Sequence, residues 1–173
     1  NLRLLLIGGE VLHGKTVKHW RTHFGLGQRF VNLYGSTETI VNATIYNIPE
    51  SSGYEDATPI GTPRKGSHVL LLNHEGKECK TNEKGEFYIG GPSIARGYYK
   101  SEVYSNEKFI ENPIDKSSGL YYKTGDIAKR DKDGIYHYIG RIDNQIQIYG
   151  NRIEPTEIEL VLTSSSLING AAI

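Results

Sequence analysis

Beyond residue 57, glycine or a turn-forming polar residue interrupts every apolar stretch of this chain after a few positions, so this half can build only short strands. The stretches are Ser67 to Leu72, Glu86 to Ile89, Tyr121 to Thr124, Ile127 to Arg130 and Ile135 to Ile139, with turn signals at Asn82, Lys84-Gly85 and Asp133-Gly134. Short strands separated in this way cover their apolar faces by curling on one another. The pattern therefore predicts a small, distorted β-barrel.

The first third reads differently. Leu2 to Ile7 is an apolar run closed by Gly8-Gly9, Lys15 to Phe24 has the mixed spacing of a short helix, and Arg29 to Leu33 reads as a second strand. Strand, helix and strand in that order are α/β, with the Tyr34 to Glu38 loop at the carboxyl end of the second strand, where open α/β sheets hold ligands. The polar stretch Ser51 to Asp56 marks a boundary. After Asp143, Gln145 to Tyr149 alternates as a strand, Pro155 to Thr163 reads as a helix with proline in its first turn, and Ser164 to Ser166 as a loop.

Composition excludes several classes of function. Twenty basic and twenty acidic side chains cancel, so no net field draws nucleic acid or an anionic membrane. Apolar runs such as Leu4 to Ile7 are far below the ~20 residues of a membrane helix. The absence of a signal peptide and the single Cys79 place the chain in a reducing cytoplasm, and Asn1 in place of methionine suggests an excised piece. Between Lys77, Glu78 and Lys80, Cys79 reads as part of a solvated turn and a poor nucleophile.

Chemistry concentrates in residues 121–159. Thr124-Gly125-Asp126 sets a carboxylate beside a glycine, and Gly140-Arg141-Ile142-Asp143 adds a guanidinium and a second carboxylate. A carboxylate can accept from both hydroxyls of a ribose, and a nearby arginine can donate to the sugar or to a phosphate. A hairpin with a surface ion pair explains either piece alone equally well.

Taken with Asn32-Leu33-Tyr34-Gly35-Ser36-Thr37-Glu38 and GEFYIGGPSIARGYYK at 85–100, the stretches YKTGDI and GRIDNQIQIYGNRIEPTEIE resemble, in order and spacing, the core motifs of the adenylate-forming superfamily. They are most similar to the amino-acid adenylation domains of nonribosomal peptide synthetases, and NEKFIENPI before YYKTGDI resembles that branch too. The resemblance implies a mixed α/β and β fold. Residues 1–56 would be the end of a large α/β subdomain, 57–141 a small distorted β-barrel subdomain, and 142–173 the start of a mobile α+β C-terminal domain. The family's phosphate loop and catalytic lysine match nothing in this chain, which implies truncation at both ends.

It further implies ATP with Mg²⁺, an amino acid or other small carboxylic acid, pyrophosphate release, and transfer to the phosphopantetheine thiol of a carrier protein; a stand-alone acyl-CoA ligase is the nearest alternative. Nucleic acid and membrane are not among the implied partners.

In the family's pattern Tyr34 stacks on adenine with Asn32 beside the base, although one more buried aromatic is the plainer account of Tyr34. Gly35 permits a tight turn and leaves room for the base or phosphate, and Ser36 and Thr37 offer hydroxyls to phosphate oxygens or cap a helix. Thr37 and Glu38 are the catalytic candidates, with Glu38 a hard oxygen ligand for Mg²⁺. Asp126 would take the ribose hydroxyls and Arg141 the ribose or phosphate side. Tyr138 would lie near the nucleotide or in the barrel core. Asp143 matches the hinge, or is an exposed loop acid. Leu6, Gly8, Leu33, Val41 and Asn42 would line the acyl pocket, mostly apolar with one amide. Gln147 and Tyr149 depart from the lysine and arginine of many relatives, and GGPSIARGYYK is assigned to structure before catalysis.

A rival motif remains. Gly9 to Thr16, GEVLHGKT, satisfies the phosphate-loop pattern after a strand and before a helix and would make this a P-loop nucleotidase or kinase. Against it, Val69 to Leu72 ends in Asn73 where such a protein needs a Mg²⁺-binding aspartate. A noncatalytic nucleotide-binding module is the third reading.

Overall fold

A computed structural model describes residues 2–51, 57–148, 151–165 and 167–173. The first sheet begins with β1 (Leu4–Gly8), whose apolar run emerges beside the helix α1 (Gly14–Phe24) and lies parallel to β2 (Arg29–Tyr34). The expected strand, helix and strand are all present. The sequence reading lacked β3 (Thr44–Ile48) and β4 (Thr62–Pro63), which continue the sheet antiparallel in the order β1-β2-β3-β4. Leu12, Val17, Phe30 and Ile48 are buried together, with Leu5, Ile7 and Trp20 packed against them.

The second sheet is built from β5 (His68–Leu72), β6 (Lys84–Gly90), β7 (Phe109–Glu111), β8 (Leu120–Arg130) and β9 (Tyr136–Arg141), with the helix α2 (Glu102–Lys108) before β7. The expected distorted barrel is realised as a curled half-barrel. One edge of β8 pairs with β6; the other pairs with β7 at Leu120 to Tyr122 and with β9 from Asp126 to Arg130. Tyr121 to Thr124 and Ile127 to Arg130, read from sequence as two strands, are one. Gly125, at φ 75°, interrupts neither pairing edge for long, because residues 124–126 bulge out of register opposite Phe87.

Residues 57–63 sew the two sheets together. Ala57 bridges to His13, Thr62 and Pro63 pair with β3, and Gly61 exchanges backbone hydrogen bonds with Tyr136 of β9. The main core accordingly spans both sheets. Ala43 and Ile60 are buried with Leu71, Phe87, Ile89, Ala128 and Tyr136, and Tyr34 packs against the same cluster. Cys79 belongs there too. Its charged neighbours face solvent, while its backbone N–H donates to Leu71 and its side chain points inward, where burial pushes the thiol pKa up.

Past β9 come a short antiparallel ribbon, β10 (Ile146–Ile148) and β11 (Asn151–Ile153), and the helix α3 (Pro155–Thr163), which spans the residues expected. Tyr149 and residues 52–56 of the polar boundary lie outside the described residues. No helix among the described residues is long and apolar enough to cross a membrane.

Gly61 holds the tightest point of the seam. Its φ is +87°, and a Cβ there would stand 2.0 Å from the Ile45 carbonyl oxygen. Gly134 has a similar φ of +78° with nothing near. Gly134→Ala should cost about 1–2 kcal/mol, the left-handed penalty alone, whereas Gly61→Ala adds a backbone collision and should cost clearly more. Urea unfolding of both variants beside the unsubstituted chain checks the difference; equal costs would show that the seam yields.

Candidate functional site

Thr124, Gly125 and Asp126 form the bulge of β8, and the bulge re-aims their side chains. The Thr124 hydroxyl donates to the Phe87 carbonyl at 2.6 Å and accepts from the Asp126 N–H at 3.0 Å, fixing Asp126 relative to β6. Asp126 then turns toward β2 and β9. The Tyr34 hydroxyl donates to its Oδ2, and Arg141 Nη1 donates to its Oδ1 at 2.6 Å. Arg141 also grips Asp143 with two bonds, Nε to Oδ1 at 2.6 Å and Nη2 to Oδ2 at 2.7 Å. Gly125 is favoured by its φ, and a Cβ there would stand 2.9 Å from Arg141 Nη2 and 3.0 Å from Asp143 Oδ2, so the ion pair would have to shift to admit one.

Burial pushes the Asp126 carboxyl above the usual range, and donation from Tyr34 and Arg141 offsets this only in part. Tyr34 is raised well above the ordinary phenol value, first by burial and then by the Asp126 charge, so it is a permanent donor at neutral pH. Asp143 is held below the carboxylate range: Arg141 outweighs the opposing desolvation. Tyr138 lies on β9 against the core cluster that also receives Tyr34.

A second carboxylate sits beyond Tyr34. Gly35 lacks the Cβ that would meet the Val41 carbonyl oxygen at 2.7 Å and Ala43 N at 2.9 Å, so the loop folds back closely enough for a 3₁₀ turn at Thr37–Thr39. Ser36 precedes that turn as its N-cap, its N–H donating to Thr39 Oγ1 at 3.0 Å, and Thr37 is exposed. Ile40 and Val41 follow at φ 54° and 65°, which β-branched residues rarely adopt. Glu38 is buried. Its Oε1 accepts from the Tyr98 hydroxyl at 2.6 Å and from Arg152 Nη1 at 2.7 Å, while Oε2, also buried, has no partner meeting hydrogen-bond geometry among the described residues. Burial works to raise the Glu38 pKa, but donation from Tyr98, with the Arg152 charge behind it, leaves it below the usual range. A cavity of about 500 Å³ opens here, lined by Glu38, Tyr98, Tyr104, Lys108, Asp143 and Arg152 among others.

The structure therefore brings together Tyr34, Asp126, Arg141 and Asp143, with Glu38 near Asp143 across the cavity. Asn32 is spent internally, its amide nitrogen donating to Thr58 Oγ1 and the Pro59 carbonyl, both at 2.9 Å. In the pocket group Gly8 packs directly on Leu33, Leu6 lies exposed on the same face of β1, and Val41 and Asn42 sit on the strained loop. Sequence reasoning missed Tyr98 and Arg152. Both lie in quoted motifs, but nothing in one dimension places residues 98 and 152 beside residue 38. No group of three or more His, Cys, Asp or Glu side chains among the described residues could by itself hold a metal.

Comparison with known proteins identifies the family of the chain. Residues 1–99 match the family described as AMP-binding enzyme. Over all 173 residues the chain is 36% identical to tyrocidine synthase 1 of Brevibacillus parabrevis, covering 15% of that protein. It is 38% identical to surfactin synthase subunit 2 of Bacillus subtilis (strain 168), across the whole chain and 5% of the relative. Among solved structures, 98% of the chain superposes on 34% of IdnL1 (TM-score 0.88, 28% identity). It also superposes, over 99% of its length, on 32% of the Vibrio cholerae adenylation domain AlmE in complex with glycyl-adenosine-5'-phosphate (TM-score 0.86, 26% identity). The chain belongs to the AMP-binding enzyme family, and the resemblance to the adenylation domains of nonribosomal peptide synthetases is borne out.

The rival phosphate loop loses its physical basis. Leu12 is buried in the core beside α1, its carbonyl accepts from the Thr58 N–H, and His13 is bridged to Ala57, so the middle of the segment is committed to packing. Lys15 is exposed. Lys15→Ala in the intact protein should therefore leave ATP affinity unchanged within about twofold, measured by calorimetry. A phosphate-loop lysine would lose roughly a hundredfold, about 2.7 kcal/mol.

Proposed function

We propose that this chain is part of an ATP-dependent adenylation domain that joins an amino acid to AMP, releases pyrophosphate and passes the acyl group to a phosphopantetheine thiol on a carrier protein. The observation that carries this reading is the donor-lined Asp126 carboxylate, set beside Tyr34 in a chain whose family handles AMP. AlmE, in complex with an aminoacyl adenylate, and PA1221, described as containing adenylation and PCP domains, support the substrate and the carrier protein. A cytoplasmic enzyme fits both.

On this reading Tyr34 presents its ring to adenine with Asn32 and Tyr138 framing that side, Gly35 and Ser36 carry the loop past the phosphates, and Thr37 donates to a phosphate oxygen. Asp126 takes the ribose hydroxyls: each of its oxygens has a second lone pair beyond those used by Tyr34 and Arg141. Leu6, Gly8, Leu33, Val41 and Asn42 border the amino-acid side chain. Residues 1–56, 57–141 and 142–173 act as three parts, with Asp143 at the pivot of the last. Glu38 fits Mg²⁺ because its buried Oε2 has no partner meeting hydrogen-bond geometry among the described residues, and a cation arriving on nucleotide phosphates needs few protein oxygens. When bound, that ion would neutralise phosphate charge. The substrate carboxylate, already ionised at neutral pH, needs no general base and attacks the α-phosphorus in line, so positioning and charge stabilisation do the catalytic work.

Amino-acid-dependent ATP–pyrophosphate exchange by the intact protein tests the function; no exchange across a broad panel of acids would reject it. Asp126→Ala should lower productive use of ATP at least tenfold, since each hydrogen bond to a charged group contributes roughly 1.5–3 kcal/mol. The sharper measurement is a cycle with 2′-deoxy-ATP. If Asp126 touches the 2′-hydroxyl, the two penalties overlap and the variant discriminates little; if they add, Asp126 serves only the ion pair.

A further inference from the structure

We infer that Tyr98 is a positioning residue for the cation-binding carboxylate: by holding Oε1 of Glu38 it fixes the direction of Oε2. The inference rests on the proposal that Glu38 meets the nucleotide's Mg²⁺.

The arrangement around Tyr98 is built to locate one hydroxyl. The ring is clasped by Tyr104 at 4.8 Å and Phe109 at 5.5 Å between centroids, and Phe109 is backed by Tyr122 at 5.2 Å. Its backbone N–H donates to Ser105 Oγ of α2 at 2.7 Å, and the preceding Gly97, at φ 140°, has no Cβ to crowd that oxygen. The hydroxyl reaches Glu38 Oε1 at 2.6 Å. The same loop grips the Glu38 backbone, the Ala95 N–H donating to its carbonyl at 2.8 Å. Main chain and side chain of Glu38 are thus held from one segment, 95–98.

Arg152 shares Oε1 but comes from β11, on a separate two-stranded ribbon. Arg152 supplies charge; Tyr98, neutral and tied to the sheet that carries Asp126, supplies direction. With Oε1 accepting both bonds, the buried Oε2 has no partner meeting hydrogen-bond geometry among the described residues, which leaves a hard oxygen for a cation.

The experiment uses the intact protein with ATP and Mn²⁺ as a paramagnetic stand-in for Mg²⁺, retained ion being measured by electron paramagnetic resonance. Metal-free ATP binding in chelator is measured in parallel. Glu38→Gln should weaken Mn²⁺ retention, and Tyr98→Phe should weaken it about tenfold or more, the usual cost of removing a group that orients a ligand. Metal-free ATP affinity should stay within about twofold. The double variant should be no worse than Glu38→Gln alone, because Tyr98 acts only through Glu38. Tyr98→Phe keeps the ring packing, and a melting curve verifies the fold. Normal Mn²⁺ retention in Tyr98→Phe, an equal loss with and without metal, or additive losses in the double variant would each overturn the inference while the Glu38 assignment stands. A normal Glu38→Gln would overturn that assignment instead.

Discussion

Arg141 is the pivot of the structure, a guanidinium shared between Asp126 in the bulge of β8 and Asp143 just past β9. A carboxylate removed from water is tolerable only if its oxygens are met by donors, and Arg141 with Tyr34 meets both oxygens of Asp126. Because Tyr34 stands at the end of β2, this one carboxylate joins the first sheet, the half-barrel and the chain leading to the ribbon. The glycine in Thr124-Gly125-Asp126 follows from it: any side chain there would meet Arg141 and Asp143.

Glu38 is buried by the same logic with a different outcome. Desolvation raises both carboxylates; at Asp126 it prevails, at Glu38 it is overcome by Tyr98 and Arg152. The difference lies in the neighbours. Asp126 has charge-assisted help at one oxygen and a very weakly acidic phenol at the other, and it faces the like charge of Asp143. Glu38 has the same two kinds of donor, a tyrosine and an arginine, and is helped further by its own backbone N–H and by Ser36.

Much of this was legible in the sequence, where a local rule and the tertiary environment agree. Pro155 marks the start of α3 because a residue without an N–H costs nothing at a helix's first position, and β1, α1 and β2 follow from apolar spacing. Reading failed where context overrides local pattern. Gly125 looks like a strand break and is a bulge within one strand. Cys79 looks solvated from its charged neighbours, yet its own side chain faces the core. The helix α2 buries none of its residues and so has no apolar stripe to find. Asp126, Arg141 and Glu38 were recognisable as chemistry from their motifs; Tyr98 and Arg152 become functional candidates only through proximity across 60 and 114 positions of chain.

The double pairing of β8 has a dynamic consequence. A strand bonded along both edges can expose its amides only when a neighbour on each side opens, so β8 should exchange its amide protons among the slowest in the chain. Asp126 rides on that strand. Arg152 rides on a ribbon of three-residue strands, and Glu38 on a short turn followed by two residues in strained conformations. The parts of the site thus differ in stiffness. Asp126 rests on a strand paired along both edges and Glu38 is held from segment 95–98, while Arg152 comes from the short ribbon and is the part able to adjust, so a ligand spanning the site would be held in register by the two carboxylates and accommodated at the guanidinium.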